Sequence, residues 1–374
     1  MTKHLRTQLS AVVLAAALAA PAAAQSTQDN TAFGGASGEF LLLGAGARGT
    51  ALGGGFAALT TDVTAMYYNP AGLAQLARPA VEVGTFDYVA GTSYTWAGMA
   101  FPMAGGVRSL GVALGTFGFG DQAIYTIDNP DGNGTTYSVR ETFISGTYAQ
   151  NFSDRFAAGF TLKFISDALG DTKASGIAVD LGTSFHASVG ARPIRASFTI
   201  LNLGSGLEHQ GEALDVGVAR EPPLGTVDVP QEEQPARLRA QNWGLPVMFR
   251  VGVAMDLVSQ GNNRVTVLGE FNQPNNTKAG GSLGAEWMGL NLGGSGFSLA
   301  ARGSWTLTPD NQVDDINFGG IATSESDGSL TSDGLALGGG VEYNRANVRL
   351  GFDYAYRNMG TLGNINVFSF RLGW

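Results

Sequence analysis

Residues 348–357 read Val-Arg-Leu-Gly-Phe-Asp-Tyr-Ala-Tyr-Arg. Val348, Leu350, Phe352, Tyr354 and Tyr356 occupy one set of alternate positions, and Arg349, Gly351, Asp353 and Arg357 the other. A side-chain period of two belongs to a β-strand with one apolar and one polar face. The pattern recurs. Phe156, Ala158, Phe160, Leu162 and Phe164 oppose Arg155, Gly159, Thr161 and Lys163. Phe249, Val251, Val253, Met255 and Leu257 oppose Arg250, Gly252, Ala254 and Asp256. Phe368, Phe370, Leu372 and Trp374 close the chain in the same rhythm. Alternating runs of about ten residues separated by turn chemistry are the signature of a membrane β-barrel. Fourteen are present, over 79–89, 92–101, 109–119, 137–149, 155–165, 174–187, 193–203, 246–257, 263–272, 279–289, 296–306, 334–343, 347–357 and 365–374.

A secreted sandwich would alternate too, but the connections separate the two readings. The three long ones, 120–136, 204–245 and 307–333, are all odd-numbered, whereas the even-numbered ones are short. An outer-membrane barrel keeps its long loops outside the cell and its short turns in the periplasm. The uncharged stretch 88–107 also alternates, and reads as a strand ending in a Pro-Gly turn. The expected fold is therefore all-β: a 14-stranded antiparallel transmembrane barrel over 79–374, with extracellular long loops.

Composition agrees. The 374 residues include 55 glycines, no cysteine, and only 14% charged side chains. The absence of Cys excludes a disulfide scaffold or zinc finger. Asp+Glu at 31 against Lys+Arg at 22, with no basic cluster, argues against nucleic acid as a partner. Residues 1–24 carry Lys3 and Arg6, an apolar run 11–20, and Ala22-Ala23-Ala24 before Gln25. That is a cleaved signal peptide, its apolar run too short to span a bilayer. The last strand, with Phe370, Leu372 and Trp374, reads as the insertion signal for the barrel-assembly machinery. Outer-membrane lipid is the expected surrounding.

Between them lies 25–78, expected to be a plug or hatch inside the lumen. Gly44-Ala45-Gly46-Ala47-Arg48-Gly49 matches G-x-G-x-x-G. No βαβ unit follows, and Gly53-Gly54-Gly55 interrupts any helix, so a dinucleotide site is rejected. Thr61-Asp62 reads as the cap of a short helix over 63–67, and Asn69-Pro70-Ala71-Gly72 as a turn. The stretch 46–76 resembles the N-terminal segment of the PorV/PorQ family within the FadL-like outer-membrane barrel superfamily. Gly46, Ala47, Arg48, Gly53, Gly54, Asp62, Tyr68, Asn69, Pro70, Ala71 and Gly72 carry the likeness, as do Asn202-Leu203-Gly204 and Leu245-Pro246. The resemblance implies a lumenal plug. It also implies one of two activities: binding secretion-system proteins in type IX-like export, or passage of small hydrophobic molecules such as fatty acids and hydrocarbons. For the second, Phe56, Met66 and Tyr67 are the candidate ligand contacts.

Enzymatic chemistry finds little support. No G-x-S-x-G is present. His186 and His209 lack neighbours suited to a metal, with His186 expected on the lumen face. The residues 128–134 resemble part of a Ca²⁺ loop without its later Glu, and read as a polar loop tip. No cofactor is expected. Arg155, Lys163, Asp180, Arg250, Asp256, Glu270, Glu286, Arg302, Glu342, Arg349 and Asp353 are expected to line the lumen as ion pairs rather than a selectivity ring. Glu221, Asp228, Glu232 and Glu233 mark 204–245 as an exposed loop and candidate docking surface.

Overall fold

The computed structural model describes residues 35–127, 129–132, 134–218, 234–307, 334–345 and 347–374. The signal peptide, Asp128, Asn133, the acidic residues within 221–233 and all of 308–333 lie outside the described residues. Fourteen long strands form in chain order: β1 Ala80–Asp87, β2 Ser93–Met103, β3 Arg108–Ala123, β4 Thr136–Ser153, β5 Phe156–Leu169, β6 Thr172–Val189 and β7 Arg192–Gly204. The second half comprises β8 Met248–Gln260, β9 Asn263–Pro274, β10 Gly280–Gly289, β11 Phe297–Leu307, β12 Leu335–Arg345, β13 Val348–Asn358 and β14 Asn364–Gly373. Each pairs antiparallel with its chain neighbours. β1 then pairs with β14, from Ala80↔Gly373 to Thr85↔Phe368, which closes the barrel and removes every edge.

All fourteen expected runs are strands, with ends displaced by a few residues. The largest change is at β3–β4. A register irregularity between Phe119 and Gln122 lets the hairpin continue to Ala123↔Thr136, so strand occupies the flanks of the expected loop 120–136. The long connections 205–247 and 308–334 leave one rim. The opposite rim holds tight turns such as 154–155, 190–191 and 261–262.

The apolar faces point outward. Leu110, Val112, Leu114, Ile144, Phe160, Leu162, Phe164, Ile177, Leu181, Leu283, Phe352 and Phe370 are all exposed. On β5 the outward Leu162 is 53% exposed, while its neighbours Thr161 and Lys163 are 0% and 2%. A water-soluble fold rarely presents so continuous an apolar surface, whereas a closed barrel with an apolar outer face is suited to lipid. Arg155 departs from expectation. It sits in the tight turn before β5 and is exposed, because the strand begins one residue later.

Inside runs the segment 35–78. It contains helices α1 Gly46–Ala51 and α2 Ala65–Tyr68 and 3₁₀ turns at Glu39–Leu42 and Pro70–Gln75. At the long-loop rim the Ser37 N–H donates to the Gly244 carbonyl at 2.9 Å. At the short-turn rim Gln75 Nε2 donates to Asn151 Oδ1 at 2.7 Å. The segment thus threads the lumen from end to end, and it supplies much of the buried core, including Leu41, Leu52, Phe56, Leu59, Met66, Tyr68 and Leu73.

Candidate functional site: a charged seat and an apolar mouth

The seat is built around Arg48. Its one-and-a-half-turn helix ends where Gly53 and Gly54 take φ of 67° and 75°, a left-handed region that side chains avoid. The helix passes so close to α2 that a Cβ on Gly49 would lie 2.3 Å from the Tyr68 ring. From it Arg48 reaches Glu286 through Nε and Nη2, at 2.9 and 2.8 Å, and Asp62 through Nη1 at 2.9 Å. The guanidinium also lies 4.9 Å from the Phe56 ring centre. Glu286 accepts in addition from Arg302, which bonds Asp353. Asp353 accepts from Arg371, which donates to Glu82 at 2.9 Å. One network thus joins α1 to β1, β10, β11, β13 and β14. Burial alone would raise the Asp62 carboxyl, but Arg371, Arg48 and the Thr64 hydroxyl outweigh it and hold it below the usual carboxylate range. Buried charges persist only when paired in this way.

The seat departs from the sequence reading in three respects. Glu82 and Arg371 were missed. Each is the single charge on the inward positions of its strand. Helix α2 starts at Ala65, and Asp62 holds the Thr64 N–H and hydroxyl rather than capping from the expected place. The Asn69–Gly72 turn extends into a 3₁₀ helix, because Asn69 Oδ1 accepts from the Ala71 N–H. Asn69 Nδ2 reaches the carbonyls of Ala57 and Thr183, both at 3.1 Å, which fastens the motif to β6.

Phe56, Met66 and Tyr67 are buried in the packing between segment and wall. Phe56 meets Tyr68 edge to face at 5.3 Å, and the Tyr67 hydroxyl donates to the Leu41 carbonyl. Met66 lies where a Cβ on Gly98 or Gly111 would stand. Phe370 and Trp374 are exposed on the outer face, Trp374 with its ring 6.2 Å from Phe101. Leu372 lies half-buried on the same strand face.

Further ion pairs line the lumen. Lys163 bonds Asp180 and Asn202, both at 2.7 Å, and Arg195 pairs with Asp256. Arg250 faces Glu270 at 3.8 Å, and Arg349 bonds Glu342 at 2.8 Å. His186 faces the lumen and shares a hydrogen bond with Ser184. His209 does have a carboxylate beside it: its Nε2 lies 3.2 Å from Asp167 Oδ2, because the loop after β7 folds back over the rim. Among the described residues no cluster of three or more metal-ligating side chains forms.

The mouth lies at the long-loop rim. Phe40, Phe86, Tyr94 and Phe143 are buried, and Leu43, Tyr88, Phe117 and Met359 pack over them half-exposed. Ring centres are 5.4 Å apart for Phe86–Tyr94, 6.3 Å for Phe86–Tyr88 and 6.1 Å for Tyr88–Phe117. An apolar surface with a few polar groups is one element of a small-molecule site. Two cavities lie at the opposite rim. One of about 160 Å³ is lined by Arg48, Asp62, Arg78, Arg349 and Arg371, and an open groove by Gln75, Asn151 and the β2–β3 turn.

No protein-family model and no curated protein matches the sequence. Solved structures do match. CymD, a monoaromatic hydrocarbon channel, superposes with a TM-score of 0.52 at 13% identity, over 89% of this chain and 98% of that one. The Ralstonia pickettii toluene transporter TbuX gives 0.51 at 13%, over 90% and 100%. The Pseudomonas putida toluene transporter TodX gives 0.50 at 11%, over 88% and 96%. The chain has the barrel fold of these hydrocarbon channels. Identities this low establish the fold alone, and the neighbours carry nothing specific to the PorV/PorQ branch. They are channels rather than enzymes.

Proposed function

We propose that this protein is an outer-membrane channel for small hydrophobic molecules, with the 35–78 segment as its plug and the long loops outside the cell. The observation that carries this reading is the half-exposed apolar surface of Leu43, Tyr88, Phe117 and Met359 at the long-loop mouth. Apolar side chains inside a barrel gain nothing from lipid, and leaving them wet costs about 25 cal/mol per Å². An apolar solute entering there recovers that loss. The shared fold with hydrocarbon channels supports the same reading. The secretion reading rests on the sequence resemblance alone.

The test is uptake of toluene into proteoliposomes. Tyr88→Asn with Phe117→Asn is expected to reduce it by about tenfold, the loss of two aromatic contacts of roughly 0.5–1.5 kcal/mol each. Unchanged uptake would overturn the reading. Specific capture of a secretion partner by wild type, with no toluene flux, would replace it with the other.

A further inference from the structure

The short-turn rim carries a row of arginines on the outer face of the barrel. On β3 the buried Ser109 faces the lumen and the exposed Leu110 faces out, so Arg108 lies on the outer face, one alternate position beyond Leu110. On β7 Ser197 faces in and Phe198 out, which puts Arg192 on the outer face as well. On β12 Arg345 shares the face of the exposed Val341, and its Nη1 donates to the Tyr343 hydroxyl at 3.5 Å. Arg155 is exposed in the β4–β5 turn. Among the described residues none of these four has a carboxylate partner, and Asp154 is the one exposed carboxylate in these turns. The inward arginines at the same rim differ: Arg195, Arg349 and Arg371 are each paired with a carboxylate. The outward charges at the long-loop ends of the strands, Asp87, Arg140 and Lys173, are of mixed sign.

These arginines are neighbours round the barrel. The β12–β13 turn, the β14–β1 junction and the β2–β3, β4–β5 and β6–β7 turns follow one another, because each strand pairs with its chain neighbours and β1 with β14. Arginine stands at four of these five places, and Trp374 at the junction. Aromatic pairs accompany them: Phe101 with Trp374, Phe152 with Phe156 at 6.0 Å between ring centres, and Phe297 with Tyr343 at 4.7 Å. Aromatic girdles mark the boundary between hydrocarbon and headgroups. A cation on the lipid face of a barrel is costly at the bilayer midplane and costs little at that boundary. The arc is therefore placed at headgroup depth. There a guanidinium's planar fork of donors matches a phosphate.

We propose that this arc binds the phosphate groups of anionic phospholipids in the leaflet that meets the short turns. Arg108, Arg192 and Arg345 hold the headgroups, and the aromatic pairs beside them take the upper acyl chains. A lipid fits better than free phosphate, because these arginines stand on the outer wall, where a headgroup carries its phosphate against apolar residues. The inference rests on the barrel's place in a membrane and not on what passes through it.

The test uses the full-length protein in phosphatidylcholine vesicles containing brominated phosphatidylglycerol or brominated phosphatidylcholine. Tryptophan quenching is the readout, since Trp374 lies in the arc and is 46% exposed. Wild type is expected to favour phosphatidylglycerol by about fivefold for each arginine engaged. Arg108→Gln, Arg192→Gln and Arg345→Gln together should remove that preference, with the heat-induced mobility shift and toluene flux unchanged. Arg140→Gln with Lys173→Gln, at the other rim, should keep it. Loss of the wild-type preference on adding inorganic phosphate at constant ionic strength would assign the arc to free phosphate and overturn the lipid role. A preference that survives in the triple variant would overturn the proposal. So would its absence in wild type, and retention of polyglutamate by the same arginines would then assign the arc to an acidic protein. None of these outcomes bears on the transport reading, which toluene flux tests separately.

Discussion

Replacing Arg48 by methionine is expected to release the lumenal segment and open the barrel to ions. The change leaves Asp62 without its bonded cation, and Glu286 with only Arg302. Glu286 is 1% exposed and Asp62 7%, so water does not compensate them. Removing one partner of a buried ion pair costs about 3–5 kcal/mol, because the other charge is stranded. Methionine keeps the apolar volume against Phe56, so the loss is electrostatic. Chymotrypsin should then cut within 38–78, at Phe40, Phe56 or Tyr67, where wild type resists. Conductance in planar bilayers should rise in parallel. Arg239→Met is the control, since its pair with Glu208 is largely solvent-exposed and should change neither readout. Acid should mimic the substitution. The Asp62 carboxyl is held below its ordinary range, so its contribution is complete at neutral pH. It disappears as the pH falls below about 4 through the folded-state value. An intact, closed Arg48→Met barrel would show that the segment is seated by packing alone.

The barrel was legible in the sequence because lipid imposes a strict rule on every strand. Leu162 and Phe164 must face out, and Thr161 and Lys163 cannot. A period of two therefore survives in almost every run, and loop length records which rim is which. The seat was legible only in part. Arg48 and Asp62 were visible as members of a glycine-rich motif, but their partners depend on where strands far apart in the chain come together. Glu82 and Arg371 meet because β1 closes on β14, with Glu82↔Arg371 in register. No local pattern states that closure. His209 reaches Asp167 through a loop fold that periodicity does not describe.

The second large effect is expected where the Asn69-Pro70 corner meets the wall. Gly182 on β6 faces this corner: a Cβ there would stand 2.2 Å from Asn69 Oδ1 and 2.9 Å from the Pro70 ring. Gly159 on β5 meets the Pro70 carbonyl group at 2.6 Å in the same way. The Pro70 contacts are with backbone and a ring, which cannot swing aside, and the Asn69 amide is held by its own hydrogen bonds. Gly182→Val should therefore push Asn69 off the Thr183 and Ala57 carbonyls, leaving buried polar groups unpaired. Overpacking alone costs about 1–3 kcal/mol, and each stranded group adds about 1–3 kcal/mol. Gly146→Val provides the contrast. It lies in the same sheet on the exposed outer face, with nothing within 4 Å of its Cβ position. There a β-branched residue has better strand propensity than glycine and meets lipid. The same substitution should thus lower the midpoint of heat-induced mobility change at 182 and hold or raise it at 146. Equal effects at both positions would mean that the wall tolerates glycine replacement generally, and that the Asn69–Gly72 motif is not fastened to it as described.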